Sequence, residues 1–254
     1  MNNRSPRPIV ILGPTTVGKT DVAFGLARSF GAEVINADKF YLYDAMPAVT
    51  GQSDAHKYPD VKSHLYGVLD LGESRWTDSR YAGEFRLCVR DIRSGNRPLI
   101  VEGCSHALIR VAVNTLDSLA ETPQERPLLV GLRWKLANNL AADCERRARS
   151  MMANGMVDEY RRAMAGGAAE TYALRKCFAR DPLLQHLRGV IESSRCRNRV
   201  AEELERHARR HYTQLSRIPR VMWIDHDRQC PEETIRRIQA LGRTLPGVND
   251  ASLN

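Results

Sequence analysis

A strand, a glycine-rich loop and a helix must follow one another near the start of this chain. The apolar run Ile9-Val10-Ile11-Leu12 leads into Gly13-Pro14-Thr15-Thr16-Val17-Gly18-Lys19-Thr20, which fits the phosphate-binding pattern G-x-x-x-x-G-K-[ST]. The run reads as a short buried strand, and beyond Thr20 the residues Ala23, Leu26, Ala27 and Phe30 recur at helical spacing. In such a loop Gly13 and Gly18 let the backbone wrap around a phosphate. Its N–H groups and the helix N-terminus supply partial positive charge, Lys19 a full one, and the Thr20 hydroxyl is placed to hold Mg2+. The pattern predicts an anion cradle for a polyphosphate without naming the reaction.

The rest of the sequence is compatible with a globular enzyme built around that cradle. At 254 residues and 43% hydrophobic content there is ample material for a packed core. The opening residues lack the apolar stretch of a signal peptide, and no apolar run approaches the ~18 residues of a membrane span, so a cytoplasmic location without membrane contact is the expectation. Cys88, Cys104, Cys144, Cys177, Cys196 and Cys230 form no C-x-x-C pair, which favours reduced thiols over a zinc site or a disulfide framework. Net charge is +8, and lysine fills only six of the 38 basic positions. That arginine excess suits polyanionic ligands, although a solvated basic surface explains many of these residues equally well.

Taken in order, Glu33 to Ala37 reads as a second strand that delivers Asp38 at its C-terminal tip, the edge where ligands bind in parallel α/β sheets. Lys39 to Asp60 looks like a long, mostly irregular connection. Leu65 to Asp70 is a candidate third strand, followed by a helix carrying Tyr81, Phe85, Cys88, Val89 and Ile92 and closed by Gly95. Further strands are predicted at Pro98 to Glu102, at Leu128 to Leu132 ending on Arg133, and at Val221 to Ile224. A last helix runs from Pro231 to Leu241, capped by Gly242, before a frayed end from Pro246. From Leu136 to about Arg217 the pattern is helical and basic, broken near Asn154-Gly155, Gly166-Gly167 and Asp181-Pro182. The expected fold class is therefore α/β: a P-loop NTPase-like parallel sheet flanked by helices, with a helical insertion in the C-terminal half. The corresponding division is a core over 1–135, a basic helical insertion over 136–220 covering the active site, and the last strand and helix over 221–254.

Several segments resemble the isopentenyltransferase family, whose members move a dimethylallyl group from dimethylallyl diphosphate to N6 of an adenine. The loop is similar to that family's G-P-T-x-x-G-K-T, and Asn36-Ala37-Asp38-Lys39, with Tyr43 and Thr50, resembles its second-strand segment with a catalytic aspartate. Leu99-Ile100-Val101-Glu102-Gly103-Cys104-Ser105 looks like the L-I-L-E-G-G-S of the free-nucleotide enzymes, with Cys104 in place of the second glycine. Leu132-Arg133-Trp134-Lys135 resembles the stretch with a diphosphate-gripping arginine, and His207-Ala208-Arg209 the H-A-R of the late helix. Two further departures are Leu204 where a tyrosine is the rule and Arg188 where an acceptor-side aspartate would align.

The resemblance implies Asp38, Lys19, Thr15 and Arg133 at the reacting atoms. It implies Gly13, Thr16, Gly18, Lys19, Thr20, Arg133, His207 and Arg209 around the donor diphosphate, and Asp38, Tyr43, Thr50, Ser105 and His106 on the acceptor side. Mg2+ on Thr20 is the implied cofactor, and AMP or a related adenine nucleotide the implied acceptor, as in cytokinin biosynthesis. The branch likeness and the chain length set tRNA aside as a partner. Prenyl transfer breaks an allylic C–O bond and leaves negative charge on diphosphate, which a positive cradle stabilises. An adenine N6 amine is a poor nucleophile and needs alignment and a base, for which Asp38 is suited. Simple turn capping by Asp38, solvated surface roles for Arg133 and Arg209, and loop capping by Ser105 and His106 are the structural alternatives. A second acceptor on the same donor, either another small amine or tRNA, and a P-loop small-molecule kinase are the functional ones.

Overall fold

The computed structural model describes residues 6–51, 57–135, 139–168 and 171–243. Strands β1 (Ile9–Leu12), β2 (Glu33–Asn36), β3 (Ser63–His64), β4 (Leu99–Gly103), β5 (Leu128–Trp134) and β6 (Met222–His226) form one sheet. All pairings are parallel and the order is β3-β2-β4-β1-β5-β6. The helices are α1 (Lys19–Phe30), α2 (Pro47–Thr50), α3 (Asp78–Ser94), α4 (His106–Ser118), α5 (Asn139–Ala153), α6 (Met156–Ala165), α7 (Tyr172–Lys176), α8 (Arg180–Leu187), α9 (Ser193–Leu215) and α10 (Pro231–Arg243). No helix among the described residues is long and apolar enough to cross a membrane.

Alternation along the strands divides the core into two layers. Ile9 and Ile11 pack with Val22, Phe24 and Leu26 of α1 and Ile238 of α10, while Val10 and Leu12 join Tyr81 and Phe85 of α3 and Ile109 and Leu116 of α4. The α5 to α9 region extends the second layer, since Leu140, Cys144, Ala148, Met151, Val200, Leu204 and Ala208 are buried in that same cluster. Glu159 of α6 accepts hydrogen bonds from the backbone N–H groups of Ala48 and Val49 in α2, at 2.9 and 3.0 Å. The helices above the sheet are thereby tied to the connection that follows Asp38.

Three boundaries differ from expectation. The third strand is Ser63–His64 rather than Leu65 to Asp70, because the backbone turns through φ 61 at Leu65 and φ 58 at Gly67, and only Leu69 returns, to bridge Tyr43. Leu65 and Leu69 are apolar because they are buried, not because they form a ladder. The break expected near Asp181-Pro182 falls just before it, at residues 177–179 between α7 and α8, and Pro182 itself sits in the first turn of α8, where the N–H that proline lacks would have no intrahelical partner anyway. Gly242 lies inside α10 rather than capping it. The frayed end predicted from Pro246 lies outside the described residues.

The chain reverses direction across the sheet at β1, whose neighbours are β4 and β5, and this puts the loop after β1 at the carboxyl-end crevice. The neighbouring strand ends are held close: Ala37 N–H donates to the Glu102 carbonyl at 2.7 Å and Ser105 N–H to the Ala37 carbonyl at 3.3 Å. A Cβ on Gly103 would collide with the Ala37 backbone, which cannot move without shifting Asp38. Gly103→Ala is expected to destabilise the protein by about 1–3 kcal/mol, the range for overpacking, read as a lowered denaturation midpoint. An unchanged midpoint would mean that this strand end is not clamped.

Candidate active site

The glycine loop is shaped by its backbone. Gly18, at φ 96, is the N-cap of α1, and a Cβ there would meet His226 Nε2 at 2.9 Å. Gly13 is equally confined, its would-be Cβ lying 2.7 Å from the Leu132 carbonyl oxygen. Thr16 adopts φ 70, an uncommon conformation for a β-branched residue, and its carbonyl accepts a 3.1 Å bond from Arg228 Nη1. Lys19, only 8% exposed, donates from Nζ to the Pro14 carbonyl at 3.0 Å, folding its ammonium back over the loop.

Two connected cavities open at this edge of the sheet. The smaller, about 30 Å³, is lined by Thr15, Thr16, Gly18, Lys19 and Thr20, with Arg147 and Arg228 adding charge. The larger, about 460 Å³, extends beneath α5 and α9 and is lined by Met151, Phe178, Leu204, His207 and His211, with Thr50, Ser105 and His106 opposite. Thr15, Asp38, Tyr41, Cys104 and Arg147 line both and so mark the passage between them.

Asp38 lies in that passage, 8% exposed and fixed from several sides. Its N–H donates to Asn36 Oδ1 at 2.7 Å, and Asn36 Nδ2 in turn donates to the carbonyls of Asp38 and Leu65 at 3.0 and 2.8 Å. Oδ1 accepts from the Phe40 N–H at 3.0 Å, so Asp38 does cap the short turn Phe40–Leu42. Oδ2 accepts from the Cys104 thiol at 2.5 Å. Capping and chemistry are not exclusive here, because a carboxylate has about four lone-pair positions and these two bonds use half of them.

Glu102, at the end of β4, is completely buried. Burial pushes its carboxyl up, opposed by Lys19 and by the hydroxyls of Tyr66 and Thr20. Tyr66 Oη donates to Oε1 at 2.8 Å, while Oε2 has no hydrogen-bond partner among the described residues. A hard cation on the Thr20 hydroxyl would answer that orphaned oxygen, so these two residues fit a magnesium site.

In the larger cavity His207 stacks on Phe178, with ring centroids 6.0 Å apart, and meets the His211 ring at a tilt, 4.1 Å away. Burial first, then Arg210, holds His207 below its ordinary value, and burial with His207 and Lys19 holds His211 well below. Both imidazoles are therefore neutral near pH 7. His106 is lowered by burial and by Arg110, Arg217 and Lys39, which form a positive rim on this side. Among the described residues none of these three cations is within ion-pair distance of a carboxylate, whereas Arg133, Arg146 and Arg209 each are.

Most residues expected at the site are brought together, but three are not. Arg133 Nε reaches Asp225 at 2.6 Å, its direct partner in the register between β5 and β6, and lines neither cavity. Arg209 is 66% exposed in its side chain and pairs with Glu205 one helical turn away. Tyr43 is buried in the core rather than facing the acceptor cavity. His207, expected on the diphosphate, lines the larger cavity instead of the loop. The arginines that line the smaller cavity are instead Arg147 and Arg228. Arg228 carried a usable signal, lying two residues past the carboxyl end of β6, whereas Arg147 is one of many arginines on a basic helix.

A family model described as isopentenyl transferase matches residues 7–215. A tRNA dimethylallyltransferase of Shouchella clausii is 38% identical over 96 residues, 37% of this chain and 31% of that protein. The tRNA dimethylallyltransferase 1 of Hahella chejuensis is 32% identical over 164 residues, 59% of this chain and 54% of that protein. The chain thus spans about a third to about half of the length of these curated relatives. The fold is that of a tRNA delta(2)-isopentenylpyrophosphate transferase from Staphylococcus epidermidis, with TM-score 0.79 and 16% identity over 94% of this chain and 99% of that one. These names overturn the expectation that tRNA is not a partner. Proteins named for action on tRNA match this chain, and chain length does not determine which acceptor a core admits.

Proposed function

This chain belongs to the isopentenyl transferase family, and from that premise we propose that it moves a dimethylallyl group from dimethylallyl diphosphate to the exocyclic amine of an adenine, releasing diphosphate. The observation that carries the reading is the buried Asp38 carboxylate in the passage between a loop cavity lined by Lys19 and a larger, partly aromatic cavity. Diphosphate on the loop would leave its allyl carbon at the passage, and an amine entering from the larger cavity would meet that carbon beside a base. Lys19, Arg147, Arg228 and the loop N–H groups strengthen their hold as charge develops on the departing diphosphate. Mg2+ held by Thr20 and Glu102 would add positive charge at the same oxygens. Asp38 takes the amine proton as the new C–N bond forms.

An adenine of tRNA is the acceptor favoured by the names of the relatives, and the positive rim of Lys39, Arg110 and Arg217 suits the phosphates of a strand. A free adenylate is the second reading, favoured by the likeness of Leu99–Ser105 and of His207-Ala208-Arg209 to the free-nucleotide enzymes. Both differ from a small-molecule kinase in the donor consumed. Mass spectrometry of products from AMP, ADP, ATP, unmodified tRNA and small amines, each offered with dimethylallyl diphosphate, separates these outcomes. No dimethylallylated product from any acceptor would refute the reading.

The two sets of arginines should behave differently toward diphosphate. Arg228→Ala and Arg147→Ala are each expected to weaken inorganic diphosphate binding by about tenfold or more, the loss of roughly one charge-assisted hydrogen bond. Arg133→Ala and Arg209→Ala should change it by less, because each guanidinium is already engaged by a carboxylate outside the cavities. Titration calorimetry giving the reverse order would return diphosphate binding to Arg133 and Arg209.

A further inference from the structure

The glycine that the family pattern places after Gly103 is Cys104 here, and its thiol is not a passive substitution. It follows β4 directly, is 6% exposed, and lines both cavities. Its Cβ cannot drift away from Asp38, because the residues on either side are held to Ala37: Gly103 by close backbone approach and Ser105 by the N–H bond to the Ala37 carbonyl. The thiol therefore meets Asp38 Oδ2 at 2.5 Å while the Phe40 N–H holds Oδ1. We propose that Cys104 is a positioning residue, whose S–H donates to Asp38 Oδ2 and fixes the plane of the carboxylate in the passage where the acceptor amine must lie.

The inference rests on the reading of Asp38 as the base in the proposed transfer. Without the thiol, the carboxylate is held through Oδ1 alone and can rotate about that bond, so its oxygen no longer faces one fixed point. A neutral donor suits this task, since it orients the carboxylate without contributing the counter-charge of a lysine or arginine. Burial, together with Asp38 and Glu102, keeps the thiol well above its ordinary titration range, so it remains the donor. Oδ2 keeps a lone pair for the amine proton, so the thiol and the acceptor do not compete for one position.

Two measurements test the proposal, one of which needs no turnover. In the infrared, the S–H stretch lost on Cys104→Ser should lie at the lowered frequency of a hydrogen-bonded thiol, and Asp38→Asn should move it upward. In single-turnover assays with saturating donor, Cys104→Ala should slow the chemical step about tenfold, consistent with misorientation of a reacting group, with diphosphate affinity unchanged. Cys104→Ser, which keeps a donor, should recover most of that rate. An S–H band insensitive to Asp38→Asn overturns the contact, and equal rates for the alanine and serine variants overturn the positioning role. If the native protein transfers no dimethylallyl group, the proposed reaction fails while the infrared result still decides the thiol–carboxylate contact.

Discussion

Lys19→Ala is expected to lower turnover by at least about 10²–10³-fold while leaving the circular dichroism spectrum intact, the loss typical of removing one preorganised donor from developing negative charge. The ammonium's hydrogen bond is to a neutral carbonyl of its own loop. It is 8% exposed, donates to the Pro14 carbonyl at 3.0 Å, and belongs to the lining of the smaller cavity together with Thr15, Thr16, Gly18 and Thr20. Diphosphate oxygens in that cavity would offer it a charged acceptor in place of a neutral carbonyl, and that acceptor gains charge as the allylic bond breaks. The effect should therefore fall more heavily on the chemical step than on donor affinity. Near-normal turnover in a folded Lys19→Ala protein would sink the assignment of the loop as the donor site.

Much of this was legible in the sequence because it depends on short-range pattern. The octet Gly13 to Thr20 needs left-handed backbone at Gly18 and close approach at Gly13, and glycine stands at both. Strands β1, β2, β4 and β5 were visible as mainly apolar runs because a parallel sheet covered on both faces buries every position of the first three and the first five of β5. Asp38 could be placed near the loop because parallel strands deliver their carboxyl ends to one edge.

What could not be read depends on pairing between distant segments. Arg133 and Asp225 are opposite each other only because β6 adds beside β5 in a particular register. Without that register, an arginine at a strand end looks like a ligand residue. Arg209 is similarly indistinct in sequence, because its side chain lies on Glu205 one helical turn away. The Cys104 thiol looked like a departure from a glycine pattern. Its contact with Asp38, 66 positions away, exists because Ala37 and Gly103 lie against each other across β2 and β4.

Asp38→Asn separates the two tasks that meet at this residue. The amide keeps an oxygen that can accept the Phe40 N–H, so the turn Phe40–Leu42 and the neighbouring loop should persist and inorganic diphosphate should bind as before. What is lost is the negative charge that takes the proton from the acceptor amine. The chemical step should slow by roughly 10²–10⁴-fold, the range for a positioned general base, with the loss in kcat rather than in donor KM. The passage offers no ready replacement. Among its other lining residues, Tyr41 is held well above its ordinary titration range by burial, and so is the Cys104 thiol. Glu102 is completely buried at the end of β4 and lines neither cavity. Loss of diphosphate binding in Asp38→Asn, measured by calorimetry, would make Asp38 part of the donor or metal site. Unaffected turnover would leave it a turn cap, and the amine proton would then have to leave by another route.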